Sequence, residues 1–359
     1  MQKLVLNLSM LGSKPTGLGV YSEHAARALS NHFNVGLIGG QGVLPSGEVL
    51  VEAPESVAIG SGKLAAIRRQ LWMRSISFDS NTLVYSPTHH GLPCVEDQII
   101  TIHDLICLRY PMQHKTQYLY FKFGLPRLLK KCRAVFCVSE TTKADVAKTY
   151  GFPEEKIFVI PNGVNASTFS AAPASHDCDP YLLMVGARYP HKNVDEVLEM
   201  SDLWSKKYRL LVTSCTGSYR QQLKKLVVSK GLQGRVKFLD YLTQDLLIRL
   251  YQGSSALVYP SKWEGFGIPP LEALACGIPI IASDIPVHRE VLGSSAFFVE
   301  LSSKDSWANA FNSLSSEAAV NNCLEAGKLV LNRFTWENSA EKLVHSILAV
   351  EPALKEQLY

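Results

Sequence analysis

Three observations predict an α/β fold made of two doubly wound parallel-sheet units. Short apolar runs alternate with helix-forming stretches along the whole chain, which places helices on both faces of a parallel sheet. A stretch rich in Ala, Ser, Pro and Asp at 166–180 interrupts the alternation and reads as a linker. The 359 residues suffice for two domains, each with its own core.

The expected strands of the first half are 4–8, 35–38, 83–85, 99–102, 135–138 and 158–160. Those of the second half are 181–185, 210–213, 236–239, 256–259, 278–282 and 296–299. Most are short continuous apolar runs, as in a buried parallel sheet. The chain therefore divides into an N-terminal unit at 1–165, the linker at 166–180 and a C-terminal unit at 181–338. A last helix is expected from about 339 to 354, with Leu343, Ile347, Leu348 and Leu354 at helical spacing.

Composition excludes several classes. A net charge of +4 is too mild to imply nucleic acid. No apolar run approaches the length that spans a bilayer. The opening Met1-Gln-Lys-Leu-Val-Leu-Asn-Leu-Ser9 is too short for a signal peptide and alternates like a first strand. A cytoplasmic protein is expected. The eight cysteines show no CxxC spacing, which argues against a zinc or disulfide framework.

The most telling segment is Ser261-Lys-Trp-Glu-Gly-Phe-Gly-Ile-Pro-Pro-Leu-Glu272, between the strand at 256–259 and a helix. Pro269 and Pro270 suit a first helical turn, where a missing N–H costs nothing. Gly265 and Gly267 let backbone amides approach a ligand, and a helix N-terminus adds partial positive charge. Glu264 and Glu272 supply carboxylates that accept sugar or ribose hydroxyls. The combination suits a phosphorylated ligand that carries hydroxyl groups.

Glu264 and Glu272, with seven residues between them, resemble the paired glutamates of family 4 retaining glycosyltransferases of the GT-B fold. The resemblance continues in Thr101-Ile-His-Asp-Leu105, Val138-Ser-Glu140, Ile160-Pro-Asn-Gly-Val164 and Val185-Gly-Ala-Arg188, followed by Lys192. These motifs stand in the family's order along the chain. The resemblance implies two Rossmann-like domains facing a cleft, with the C-terminal helix (339–359) crossing back to the N-terminal, acceptor-side domain. It assigns Glu272 to the ribose hydroxyls and Glu264 to those of the transferred sugar, with Gly265, Phe266, Gly267 and Ile268 around the donor.

Other segments fit this frame. Gly12-Ser-Lys-Pro-Thr-Gly-Leu-Gly19 is a strand-to-helix turn or a phosphate-facing loop; the resemblance favours Gly17 and Gly19 near donor phosphate and acceptor. His103 and Asp104 end a strand, where open α/β sheets bind ligands. The resemblance puts His103 beside the transferred sugar and leaves Asp104 to orient the loop. Arg188 and Lys192 follow the first strand of the second unit, where two cations neutralise a leaving diphosphate without a metal. His191 receives no role. Asp240 and Tyr241 form either a plain turn with a packed tyrosine or, by resemblance, a loop that senses the nucleobase. Asp177-Cys-Asp179 falls in the linker and reads as a solvated turn, so no metal or other cofactor is expected. Two basic-aromatic segments, 63–74 and 118–133, read as core-packed helices or as surfaces for an anionic membrane.

Pro87-Thr-His-His-Gly-Leu-Pro93 and Ser283-Asp-Ile-Pro-Val-His-Arg-Glu290 look most like bacterial mannosyl- and rhamnosyltransferases of surface polysaccharides. The expected activity is retaining, metal-independent transfer of mannose or a deoxyhexose from a GDP-sugar. The expected acceptor is a lipid-linked saccharide, with the protein peripheral at the inner face of the cytoplasmic membrane. Three alternatives stand beside it: a UDP-sugar-dependent transferase of the same family, a non-hydrolysing UDP-sugar 2-epimerase, and a non-catalytic sugar-nucleotide-binding protein.

Overall fold

A computed structural model describes residues 3–12, 17–40, 45–57, 65–170 and 179–358. The chain divides into two compact units, Met1–Asn162 with Trp336–Tyr359, and Gly163–Thr335. The final helix, Trp336–Val350, starts three residues before the expected 339 and ends four before 354. It packs on the helix Gly17–Ser30, so the chain returns to its first unit.

The first unit holds seven strands: β1 (Lys3–Asn7), β2 (Val35–Gly39), β3 (Glu48–Glu52), β4 (Thr82–Ser86), β5 (Gln98–Ile102), β6 (Cys132–Cys137) and β7 (Ile157–Val159). They pair in the order β3-β2-β1-β4-β5-β6-β7, all parallel. The order reverses between β1 and β4, and there the crossovers leave a crevice beyond the strand ends. β4 and β5 are buried along their whole length, which is why they read as continuous apolar runs. The sequence reading omitted β3. It is an edge strand flanked by glutamates, with Val49 and Leu50 each 41% exposed, so burial never wrote an apolar pattern into it.

The second unit holds β8 (Tyr181–Met184), β9 (Arg209–Thr213), β10 (Val236–Leu239), β11 (Ala256–Tyr259), β12 (Ile280–Ser283) and β13 (Phe297–Val299). Their order, β10-β9-β8-β11-β12-β13, reverses between β8 and β11. Leu183 lies opposite Leu257, so the loops after Met184 and Tyr259 leave the same edge of the sheet. The core gathers Leu182, Met184, Leu210, Val212, Ala256 and Val258 under Trp204 and Trp307.

The expected 118–133 helix is a broken one: Lys115–Leu119, a π-turn at Tyr120–Gly124, then Leu125–Leu129. Pro126 explains the break. It has no N–H for the carbonyl one turn back, and its ring crowds that carbonyl, so the ladder widens ahead of it. Seven described cysteines are all free thiols. Among the described residues, no helix is long and apolar enough to cross a membrane.

Candidate active site

In the second unit, the loop after β8 carries Gly186, Arg188 and Lys192. Gly186 takes a left-handed φ of 71°, and its carbonyl accepts the Arg188 N–H at 2.8 Å. That tight turn leaves Arg188 exposed, with no carboxylate partner among the described residues. Lys192 ends a short 3-10 turn, Pro190–Lys192, and points inward. Its Nζ donates to Glu264 Oε1 at 2.5 Å and to the Tyr259 hydroxyl at 3.2 Å. The two expected phosphate ligands are thus unlike: Arg188 faces solvent, and Lys192 already shares its charge.

Glu264 sits in the loop after β11 and is 7% exposed. Burial pushes its carboxyl up, but the charge and hydrogen bond of Lys192 more than offset that, so it is held below the usual range. Burial likewise works against the Lys192 ammonium and Glu264 outweighs it, raising that group. Both partners are charged, and each keeps the other so. The Lys262 N–H donates to the His191 carbonyl at 2.8 Å, tying the loops after β8 and β11 together. His191, given no role from sequence, joins the loops through its backbone.

Gly267 precedes the helix Ile268–Ala275 with φ 93°, a conformation that favours glycine, and Pro269 and Pro270 occupy the first helical turn. Phe266 is buried edge-on against Phe334. Glu272 is the fifth residue of that helix, just beyond its first turn. Its Oε2 accepts from the buried Tyr251 hydroxyl at 2.7 Å, and burial raises its pKa despite that bond.

Asp240 and Tyr241 follow β10, at the sheet edge. Asp240 pairs with Arg220, and Tyr241 is 71% exposed rather than packed. Asp179 pairs with Arg209, while Asp177 and Cys178 lie outside the described residues.

In the first unit, His103 follows β5. Its Nε2 lies 2.9 Å from the Pro87 carbonyl, which only accepts, so the proton is on Nε2 and Nδ1 carries the lone pair. Tyr21 sets its edge against the ring at 4.8 Å. Burial pushes the His103 pKa down to about 4, so the imidazole is neutral. Asp104 accepts the Ile106 N–H at 2.9 Å, which orients the loop. The expected Gly17–Gly19 loop is instead the first turn of the helix Gly17–Ser30. That helix buries Tyr21, Ala25, Ala26 and Leu29, and this burial outweighs the glycines' cost of about 1 kcal/mol each. Residues 13–16 of that segment lie outside the described residues.

Sequence reasoning missed Tyr259, Tyr251 and His288. His288 is buried on the helix Pro286–Leu292, against the Tyr259 ring at 5.3 Å. Its Nδ1–H donates to the Ser283 carbonyl at 2.9 Å, and burial lowers its pKa to about 4. No local pattern marks these residues; each matters only through a partner from another element.

Two parallel sheets with paired carboxylates and cations beyond one switch point define a GT-B glycosyltransferase. Residues 166–329 match the family described as Glycosyl transferases group 1, and residues 88–168 match Glycosyltransferase Family 4. The chain is 36% identical to the O-antigen chain mannosyltransferase RfbU of Salmonella typhimurium over 324 residues, 87% of this chain and 90% of that one. It is 24% identical to the O-antigen chain mannosyltransferase B of Escherichia coli, covering 81% of this chain and 80% of that one. Among solved structures it resembles WaaG, a glycosyltransferase involved in lipopolysaccharide biosynthesis, at a TM-score of 0.69 and 14% identity, over 95% of this chain and 99% of that one. Sucrose-phosphate synthase of Thermosynechococcus elongatus matches at 0.73 and 18%, over 98% and 100%. The protein belongs to glycosyltransferase family 4.

Proposed function

We propose that this glycosyltransferase moves mannose, or a related deoxyhexose, from a GDP-sugar onto a lipid-linked saccharide in O-antigen or similar polysaccharide synthesis, with retention of configuration. The observation that carries the donor half is the buried Lys192–Glu264 pair, braced by Tyr259, with the exposed Arg188 on the same loop after β8 at the β8/β11 switch point. In this reading Arg188 meets the diphosphate and Lys192 takes up charge as the bond to the sugar breaks. Glu264 and Glu272 accept hydroxyls of the transferred sugar and the ribose. The two cations make a divalent metal unnecessary, so turnover should survive EDTA. Attack on the same face, with the leaving phosphate as base, fits a site where no carboxylate is assigned to the opposite face of the sugar. His103, neutral with a free Nδ1 lone pair, accepts a hydroxyl rather than donating to one. The mannose and polysaccharide assignments follow the names of the two O-antigen relatives.

The test is a calorimetric titration of GDP-mannose, GDP-deoxyhexoses and UDP-sugars, followed by transfer to a lipid-linked acceptor and assignment of the product's anomeric configuration. Tighter binding of a UDP-sugar, or an inverted product, overturns the reading. Turnover of the donor alone to an epimer would replace it with the epimerase.

We also place the first unit at an anionic membrane. The helix Ala65–Arg74 turns Ile67 and Leu71 outward, 58% and 61% exposed, and the broken helix exposes Leu119 and Phe123 among Lys115, Lys122 and Arg127. Replacing Ile67 and Leu71 by serine should reduce co-sedimentation with anionic vesicles; unchanged binding that ignores salt removes the membrane role.

A further inference from the structure

A chain of buried hydrogen bonds runs from the helix Pro286–Leu292 to the loop that carries Glu264. Strand register sets Tyr259 opposite Ala282, and the ladder between β11 and β12 stops there. Past that pair a side chain takes over from the backbone. Ser283, the last residue of β12 and fully buried, donates from Oγ to the Ser261 carbonyl at 2.5 Å. On its other side the loop is held by the bond from the Lys262 N–H to the His191 carbonyl. The backbone at Ser261 and Lys262 is thus pinned from two neighbouring elements, and Glu264 leaves the loop two residues later.

His288, 1% exposed, sets the direction of that serine hydroxyl. Its Nδ1 lies 2.9 Å from the Ser283 carbonyl and 3.2 Å from Ser283 Oγ. A carbonyl only accepts, so Nδ1 carries the proton and offers it to both atoms. Ser283 Oγ accepts from the imidazole, which leaves its own proton for Ser261. The other ring nitrogen, Nε2, is buried and has no hydrogen-bond partner among the described residues. The same ring lies against Tyr259, with centroids 5.3 Å apart. Tyr259 is backed in turn by Gly267, where a Cβ would stand 3.4 Å from its Cε1, and its hydroxyl accepts from Lys192 at 3.2 Å.

We propose that His288 is a positioning residue for Glu264: through Ser283 it fixes the backbone from which Glu264 reaches its ligand, and its Nδ1–H is the atom that does so. That the ligand is the transferred sugar rests on the transferase reading above. Without the imidazole donor the serine hydroxyl is free to rotate, and the Ser261 carbonyl loses its partner at a fully buried residue.

The test is an order of variants that packing by itself reverses. His288→Asn keeps a donor near the Nδ1 position but removes more of the ring's volume. His288→Gln fills more of that volume but carries its donor to the Nε2 position. Steady-state transfer from GDP-mannose to a lipid-linked saccharide is measured beside calorimetry of free GDP and hydrogen exchange of the segment 260–267. His288→Gln and Ser283→Ala should each lower kcat at least about tenfold, the equivalent of one net hydrogen bond, with GDP affinity within about twofold. Both should speed exchange in the segment. His288→Asn should restore kcat to within about threefold of the wild type and restore slow exchange. In a Glu264→Gln background, His288→Gln should lower kcat no further. A His288→Asn variant no better than His288→Gln, as lost volume alone would give, overturns the proposal. So does a Ser283→Ala variant with wild-type kcat and exchange, or a loss that adds to that of Glu264→Gln. If His288→Gln does not fold, Ser283→Ala, which removes a single hydroxyl, decides. If the wild type does not turn over GDP-mannose, the donor reading has failed. Exchange then still decides the brace: faster in the Gln and Ala variants and slow in Asn supports it, and equal rates in all three overturn it.

Discussion

The two units wind their sheets around the same kind of switch point, yet they present opposite chemistry there. Beyond β8 and β11 stand charges: Lys192 against Glu264, with Arg188 exposed nearby in sequence. Beyond β4 and β5 stand neutral imidazoles, His89, His90 and His103, all kept unprotonated by burial. A charged site with its own counter-ions is suited to a group that departs with negative charge. A neutral one is suited to hydroxyls, which need directed donors and acceptors rather than a field. One topology thus supports two electrostatic roles, decided by which side chains end the strands.

The comparison breaks most visibly at the charged site. Lys192→Met leaves Glu264 buried without its partner and should cost about 3 kcal/mol, the low end for a buried pair, by urea unfolding. Glu264→Gln should cost similarly. The double variant should recover much of the loss in stability while remaining inactive, because removing both charges removes the penalty. Single variants that unfold like the wild type would show that the pair is solvated and the contrast is weaker than drawn.

Acid sharpens the comparison from the other side. His103 and His288 titrate at about 4 and His90 at about 3 in the folded chain, against an ordinary 6.5, because burial disfavours their charged forms. Between those values the unfolded state binds more protons. The stability they contribute is therefore full above pH 6.5 and is lost as pH falls toward 4, by up to about 1.4 kcal/mol per pH unit for each histidine. Four of the five described histidines so affected, His24 and His89 included, lie in the first unit. Glu264, held low, loses its contribution only as pH falls below 4.5, and Glu272, held high, acts in the opposite sense. Hydrogen exchange followed by segment at pH 7, 5.5 and 4.5 should show the first unit losing protection before the second. Simultaneous loss would contradict the assignment.

The smallest effects separate residues within the donor site. Arg188→Ala should leave stability unchanged and weaken free GDP by about 1.5–3 kcal/mol. Glu272→Gln should weaken GDP-sugar and GDP alike, by about 1–3 kcal/mol, because ribose is common to both. Glu264→Gln should spare GDP and lower kcat. Calorimetry beside steady-state rates reads all three. If Glu264→Gln loses GDP affinity while Glu272→Gln keeps it, the two roles are exchanged.

Much of the fold was legible in the sequence because burial on both faces leaves its mark on a strand wherever the strand sits. Twelve expected strands match observed ones to within a few residues, whereas β3, exposed at an edge, carried no such mark. The loop from Ser261 to Glu272 was legible for a local reason. Proline at a first turn and a glycine at φ 93° are demands of the backbone, answered by residue types. Of the two readings of the segment ending at Gly19, the described residues follow the strand-to-helix turn: Gly17 opens the helix Gly17–Ser30, whose burial of Tyr21, Ala25, Ala26 and Leu29 offsets the glycines' cost.

The sequence by itself determined the alternation of elements and the chemical types stationed after each strand. These depend on backbone preference and hydrophobic pattern, which act over a few residues. Only the tertiary structure decided which charges meet. Lys192 reaches Glu264 across 72 positions, Tyr251 reaches Glu272 across 21, and Arg69 turns inward while Leu71, two residues on, turns out. Such choices follow from competition between desolvation and pairing at a particular place in the packed chain. A sequence names the ionisable groups, but their cost in free energy is set by the neighbours that folding brings to them.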